Sequence, residues 1–119
     1  MVRRTYEVCR FSHLPDGGSR GFSVVIPGGH EDIFLVRKGE QVFGYQNSCP
    51  HTGGPLDWVP DQFLTQQGDL IQCATHAALF RIEDGLCLQG PCAGQSLNQL
   101  AVEMDCDRVS VILNVSGSE

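Results

Sequence analysis

The segment that decides the fold reads Cys49-Pro50-His51-Thr52-Gly53-Gly54-Pro55-Leu56, and a later one reads Cys73-Ala74-Thr75-His76. Each segment offers one thiolate and one imidazole, separated by one or two residues. Residues 52–72 lie between the two pairs, which is enough chain for a strand to return. Sulfide-bridged iron binds thiolates, and imidazole also suits iron. The pattern therefore predicts one metal centre with Cys49, His51, Cys73 and His76 as its ligands.

The donor set suits a [2Fe–2S] cluster with both cysteines on one iron and both histidines on the other. Neutral imidazoles donate less charge than thiolates, so we expect an added electron to settle on the histidine-bound iron. Glycine beside the ligands lets backbone N–H groups approach the sulfides, and proline fixes the loop before the metal arrives. Structural zinc is the alternative, because two cysteines and two histidines also bind zinc tetrahedrally. Zinc loops usually space their ligands further apart than Cys49 and His51.

Around the two segments the chain consists of short apolar runs that end at glycine or proline, which is typical of an all-β protein. The long irregular stretch from Asn47 to Gly68 is expected to be functional, since it carries ligands. Asp61–Gln67 could hold a turn or two of helix. We expect a single domain, 1–119, with a cluster-binding part at about 47–92. The expected strands are Thr5–Cys9, Phe22–Ile26, Ile33–Val36, Gln41–Tyr45, Leu70–Cys73, Leu79–Ile82, Leu86–Leu88, Gln99–Met104 and Val109–Leu113.

Composition and charge narrow the classes of partner. The 119 residues include 14 acidic and 8 basic side chains, giving a formal net charge of −6 and a pI near 5.0. Such a surface disfavours nucleic acid and anionic membrane and suits a basic protein partner. No apolar stretch approaches the roughly 18 residues of a membrane span, and no signal segment follows the first arginines. We therefore expect a cytoplasmic protein whose six cysteines do not form a disulfide scaffold.

The sequence resembles the Rieske ferredoxin family. The resemblance rests on Cys-X-His followed by Cys-X-X-His, and it extends over most of the chain. It includes Gly54-Pro55-Leu56 after the first pair, and Phe80-Arg81-Ile82-Glu83-Asp84-Gly85 after the second. Gly90-Pro91-Cys92-Ala93 looks like the proline loop that covers the cluster in this family. The resemblance implies stacked antiparallel sheets with a cluster-binding subdomain formed by two loops, and one [2Fe–2S] cluster per chain.

The same resemblance implies a soluble one-electron carrier with no catalytic residues of its own. It would accept electrons from a flavoprotein reductase and pass them to an oxygenase, and we expect it to be a monomer. The alternative is a small Rieske subunit of a larger reductase complex, similar to the small subunit of assimilatory nitrite reductase. A catalytic oxygenase subunit is not expected, because the chain lacks the length for a second domain with mononuclear iron.

Several positions depart from the family pattern. Gly54 and Thr75 stand where Rieske proteins of quinol-oxidising complexes carry a pair of disulfide-bonded cysteines. Ala78 and Phe80 replace a serine and a tyrosine whose hydroxyls bond to the cluster sulfurs. Such hydrogen bonds raise the potential, so we expect the low end of the Rieske range, nearer about −150 mV than about +300 mV. Many members have glycine where Ala77 stands.

The remaining cysteines, histidines and tryptophan are expected to have structural or surface roles. Two cysteines in apolar strand patterns are expected to be buried thiols, and two in loops or turns are expected to be exposed. Two histidines are expected at the surface, and the tryptophan is expected to pack under the first ligand loop. The cysteines expected to be buried are Cys9 and Cys87, and those expected to be exposed are Cys92 and Cys106. The two surface histidines are His13 and His30, and the tryptophan is Trp58.

Overall fold

The computed structural model describes residues 2–48, 56, 63–65, 67–73, 78–90 and 93–115. This part of the chain forms nine strands and one short 3-10 helix, which confirms the all-β class. All nine expected strands are present, and the largest difference is that the third begins at Gly29 rather than Ile33. The strands are β1 (Val2–Arg10), β2 (Ser19–Ile26), β3 (Gly29–Lys38), β4 (Gln41–Gln46), β5 (Leu70–Cys73), β6 (Ala78–Arg81), β7 (Cys87–Gln89), β8 (Gln99–Asp105) and β9 (Arg108–Val115).

The strands form two antiparallel sheets. The larger sheet has six strands in the order β1-β9-β8-β4-β3-β2, and the smaller has three in the order β5-β6-β7. Two-residue turns join β2 to β3, β3 to β4 and β8 to β9, as at Gly39, whose φ of 64° suits glycine between β3 and β4. The smaller sheet contains Cys73 and is the described part of the expected cluster-binding subdomain.

Strand β3 separates two buried cores. Its apolar run from Ile33 to Val36 is fully buried. Side chains alternate across a strand. Ile33 and Leu35 therefore pack in a core beneath the larger sheet with residues of β9. Phe34 and Val36 face the other way, into a core shared with the smaller sheet. A continuous apolar run is the pattern expected of a strand covered on both faces.

Aromatic stacking and a buried hydrogen bond join the two sheets. The ring of Phe34 stacks on that of Phe63, with centroids 4.3 Å apart and planes at 5°. Tyr45 stacks on the same Phe34, with centroids 5.6 Å apart. The Tyr45 hydroxyl donates a hydrogen bond to the backbone carbonyl of Ile82, in the turn after β6. Tyr45 therefore ties the end of β4 to the smaller sheet.

The possible helical turn at Asp61–Gln67 was wrong for the residues of this stretch that can be described. Leu64 forms a β-bridge with Ile71. Backbone hydrogen bonds run from Thr65 to Leu70 (2.9 Å) and from Gln72 to Phe63 (2.8 Å). The segment therefore lies extended beside β5, because pairing with a strand satisfies its backbone groups. In the described ranges the helical structure is one 3-10 turn, Phe11–His13, and no helix there is long and apolar enough to cross a membrane.

Candidate metal centre

Cys73 is the one expected ligand that falls within the described residues. It is the last residue of β5, and its side chain is 1% exposed. Ile71 and Cys73 point into the core between the sheets, while Leu70 and Gln72 are half-buried, as the two-residue period of a strand requires. The other three expected ligands, Cys49, His51 and His76, lie outside the described residues.

The backbone on either side of residues 74–77 meets at the ends of two paired strands. Cys73 is the register partner of Ala78, the first residue of β6. His76 is three residues from Cys73 and two from Ala78 along the chain. Cys73 therefore lies at the base of the β5–β6 connection. Thr75 and Ala77, two of the positions that depart from the family pattern, belong to the same undescribed stretch.

The first ligand loop is fixed at both of its described ends. The N–H of Asn47, just after β4, donates to the carbonyl of Asp32 at 2.9 Å. The side-chain oxygen of Asn47 accepts the N–H of Leu56 at 2.8 Å. Leu56 is fully buried in the same core as Cys73 and Ala78. The ends of the two ligand loops therefore converge on one core, although the positions of Cys49, His51 and Gly54 lie outside the described residues.

A third segment approaches the same place. Gly90, after β7, has a φ of 114°, and a Cβ there would lie 2.8 Å from the Cα of Ala78. Such close approach is open only to glycine. The Ala93 N–H then donates to the Gly90 carbonyl at 3.2 Å. Pro91 and Cys92 lie outside the described residues, but the described ends bring the expected proline loop against the start of β6.

The surroundings of Cys73 fit a cluster ligand. The residues packed around it are apolar, and the side chains of Ala78 and Phe80 are buried without a hydroxyl. A thiolate in such surroundings is disfavoured without a cation, and metal binding stabilises it. Cys73 is a buried thiol at the end of β5, and Gly90 lies close to its register partner Ala78. This arrangement is suited to hold iron. Ala78 and Phe80 offer no side-chain hydrogen bond to a neighbouring sulfur.

Charged groups lie around the turn between β6 and β7. Arg81 hydrogen-bonds Asp84, and Lys38 donates to Glu83 at 2.7 Å. The Arg81 guanidinium, and then the Leu86 N–H, lower the pKa of Asp84 to about 2. Burial, followed by the negative charges of Asp84 and Glu83, raises the pKa of Tyr45 well above that of a free tyrosine. These groups fix the β6–β7 turn against the larger sheet.

Among the other described cysteines and histidines, Cys9 is less buried than the sequence predicts, and the rest lie where predicted. Cys87 is buried and Cys106 is exposed, while Cys9 is partly buried and its pKa is raised, chiefly by burial. His13 and His30 are both exposed. Outside the undescribed stretches, no three histidine, cysteine or carboxylate side chains form a metal site. Trp58 lies outside the described residues.

Sequence reasoning missed two residues that support the site. The sequence pattern places Asn47 only at the start of the irregular stretch, although asparagine commonly bonds nearby backbone groups in turns. Its position two residues before Cys49 was the available signal. Tyr45 was assigned only to a strand, and its bond to Ile82 joins positions too distant in sequence for a local pattern to show.

The sequence matches the family model for the Rieske [2Fe–2S] domain over residues 4–108. The chain belongs to the Rieske [2Fe–2S] domain family, and a domain of this family holds one [2Fe–2S] cluster. A comparison with curated proteins gives no match.

Solved structures share the fold. The ferredoxin of carbazole 1,9a-dioxygenase from Nocardioides aromaticivorans IC177 matches with a TM-score of 0.70 and 21% identity, over 90% of this chain and 95% of that one. A chain in the complex of reduced oxygenase and oxidized ferredoxin of carbazole 1,9a-dioxygenase matches with a TM-score of 0.70 and 25% identity, over 90% and 91%. The terminal oxygenase of carbazole 1,9a-dioxygenase from Novosphingobium sp. KA1 matches with a TM-score of 0.75 and 18% identity, over 98% of this chain and 31% of the oxygenase.

Proposed function

We propose that this protein is a one-electron carrier that takes electrons from a flavoprotein reductase and delivers them to an oxygenase. The observation that carries the proposal is the Rieske family match over residues 4–108. The likeness to a dioxygenase ferredoxin over 95% of that ferredoxin's length adds support. In this proposal the protein transforms no substrate and has no catalytic residue.

The proposed ligands are Cys49 and Cys73 on one iron and His51 and His76 on the other. The cluster, when bound, supplies reversible one-electron chemistry. The chain supplies a buried thiol at the end of β5 and a tight Gly90–Ala78 contact beside it. A ligand imidazole leads directly to the iron that gains the electron, so His51 and His76 form the proposed exit point. In this proposal the chain is a single domain, 1–119, and its cluster-binding part is at about 47–92.

A low reduction potential follows from the buried side chains near Cys73. Hydrogen bonds to cluster sulfurs stabilise the more negative reduced form. The side chains of Ala78 and Phe80 cannot donate any, and both are buried among apolar side chains. The proposed potential is therefore near the low end of the Rieske range, about −150 mV.

The proposed setting is the cytoplasm, and the proposed carrier is a monomer. Its net charge of −6 favours a partner with a basic docking surface and weakens binding to nucleic acid or anionic membrane. The alternative function is that of a small Rieske subunit in a larger reductase. The two functions differ in assembly, because a subunit co-purifies at fixed stoichiometry whereas a carrier associates briefly with its partners.

The test is electron delivery by the loaded protein. The protein is reduced anaerobically, freed of excess reductant and mixed with an oxidised carbazole-type terminal oxygenase, and its reoxidation is followed by stopped-flow absorbance. We expect rapid reoxidation with the wild type and with His13→Ala, a matched control since His13 is exposed in the 3-10 turn beside Asp107. His76→Ala should lose the Rieske spectrum and the delivery of electrons. Normal delivery by His76→Ala contradicts the ligand assignment, and no delivery by a loaded wild type contradicts the proposed acceptor.

A further inference from the structure

Hydrogen bonds of Asn47 hold it between a sheet and a loop. Its N–H donates to the Asp32 carbonyl at 2.9 Å, which continues the β3–β4 pairing one step beyond Gln46. Its side-chain oxygen accepts the Leu56 N–H at 2.8 Å. The backbone of Asn47 is thus part of the rigid sheet, while its side chain reaches nine residues ahead in the sequence.

Leu56 is itself fixed independently. Its side chain is fully buried in the core between the sheets, where Phe34, Phe63 and Cys73 also lie. Its backbone N–H is part-buried and needs a partner, because a buried donor left unpaired is destabilising. The Asn47 side chain provides that partner.

We propose that Asn47 is a positioning residue that clasps the first ligand loop and so holds Cys49 and His51 ready for the cluster. The proposal rests on the ligand assignment made above. Residues 48–55 lie between the two bonded residues and include both expected ligands of this loop. Because one end is fixed by the sheet and the other by the core, the side-chain bond closes the loop directly. A closed loop has fewer conformations to lose when it binds metal.

The same bond explains why asparagine suits the position. Its amide oxygen is an acceptor that reaches the backbone N–H of a residue nine positions ahead. Aspartate offers an oxygen in the same place, whereas alanine offers none. The pair of substitutions therefore separates loss of the bond from change of the residue.

The experiment compares cluster retention in the loaded protein. Wild type, Asn47→Ala and Asn47→Asp are assayed for iron and sulfide, and the release of iron to an excess of chelator is followed by the visible absorbance. Asp16→Ala is the matched control, since the Asp16 carboxylate accepts the Gly39 N–H at 2.9 Å at the opposite end of β4. Asn47→Ala should release iron about fivefold faster, the factor that one net hydrogen bond of about 1 kcal/mol is worth. Asn47→Asp should restore slow release, and Asp16→Ala should match the wild type.

Two results overturn the clasp while leaving the cluster site intact. One is release from Asn47→Ala at the wild-type rate. The other is equal acceleration by Asp16→Ala, which would make the effect a general loss of stability. A wild type without iron and sulfide overturns the ligand assignment and the clasp together.

Hydrogen exchange tests the clasp even if Asn47→Ala fails to fold. The Leu56 amide, followed by mass spectrometry on a peptide that contains it, should be protected in the loaded wild type and in Asn47→Asp. Rapid exchange of this amide in the loaded wild type overturns the proposal.

Discussion

Replacing Tyr45 with phenylalanine tests how the two sheets are joined. The substitution removes one oxygen atom and keeps the ring, so the stack on Phe34 survives. The Ile82 carbonyl loses its donor, and Ile82 is only 2% exposed. An unsatisfied buried acceptor costs about 1–3 kcal/mol. The substitution also removes the hydroxyl that accepts a 3.4 Å hydrogen bond from the Gln99 side-chain amide, but that amide keeps its bond to the Glu83 carbonyl at 3.0 Å.

We therefore expect Tyr45→Phe to lower the free energy of unfolding by about 1–2 kcal/mol. This is the lower part of the range for an unsatisfied acceptor, because the ring still fills its site. Urea titration of the loaded protein, followed by circular dichroism, measures the change. Tyr6→Phe is the matched control. Among the described residues none pairs with the buried Tyr6 hydroxyl, so its removal should be neutral or slightly stabilising. Equal midpoints for Tyr45→Phe and Tyr6→Phe would refute the role given to the Tyr45–Ile82 bond.

The same substitution has a signature at high pH. Burial raises the pKa of Tyr45 in the folded protein, so the folded state favours the protonated form. This contribution is fully present below about pH 10, where an unfolded tyrosine titrates, and is lost as the pH rises through the folded value. The stability of the wild type should therefore fall above about pH 10, and the fall should be shallower in Tyr45→Phe. Identical slopes would contradict the assignment.

Three further predictions concern the smaller sheet. Phe80→Tyr adds a hydroxyl beside the core that holds Cys73 and should raise the midpoint potential of the cluster. The rise is about 60 mV for each 1.4 kcal/mol by which the new hydrogen bond favours the reduced form. If voltammetry shows no rise, the explanation given for a low potential is wrong. Gly90→Ala places a Cβ 2.8 Å from the Cα of Ala78 at a φ of 114° and should lower the iron content per chain. Gly94→Ala is the control, because Gly94 also has a positive φ but has open space around it, and this variant should bind more iron. Equal iron content in the two variants would argue against the close approach of Gly90 to Ala78. The pKa of Asp84 is lowered to about 2, so its contribution to stability is present above about pH 4 and is lost as the pH falls toward 2. The difference in the free energy of unfolding between wild type and Asp84→Asn should therefore disappear over that interval. A constant difference would contradict this reasoning.

Local patterns were sufficient to predict the strands. The predicted strand Leu70–Cys73 has the bounds that the structure shows, because a short and mostly apolar run follows the turn-forming Gly68 and Asp69. The run Ile33–Val36 was also found, although its division between two cores became visible only in the structure. Long-range pairing limits such predictions. Phe63–Thr65 carries no strong strand pattern and is extended because it pairs with β5.

The motif predicts which residues are the ligands, but it does not predict which residues support them. Cys49, His51 and His76 remain predictions, while Cys73 lies at the strand end where the motif placed it. Asn47 and Tyr45 act on partners nine and 37 residues away, and a single sequence contains no record of such contacts. The close approach of Gly90 to Ala78 likewise depends on how β6 and β7 pair.

The measurement that tests the ligand assignment most directly is electron paramagnetic resonance on the dithionite-reduced protein, with iron and acid-labile sulfide assayed on the same sample. The account predicts a rhombic signal with the low average g of a histidine-ligated centre, together with about two irons and two sulfides per chain. A silent spectrum with one zinc per chain would contradict it.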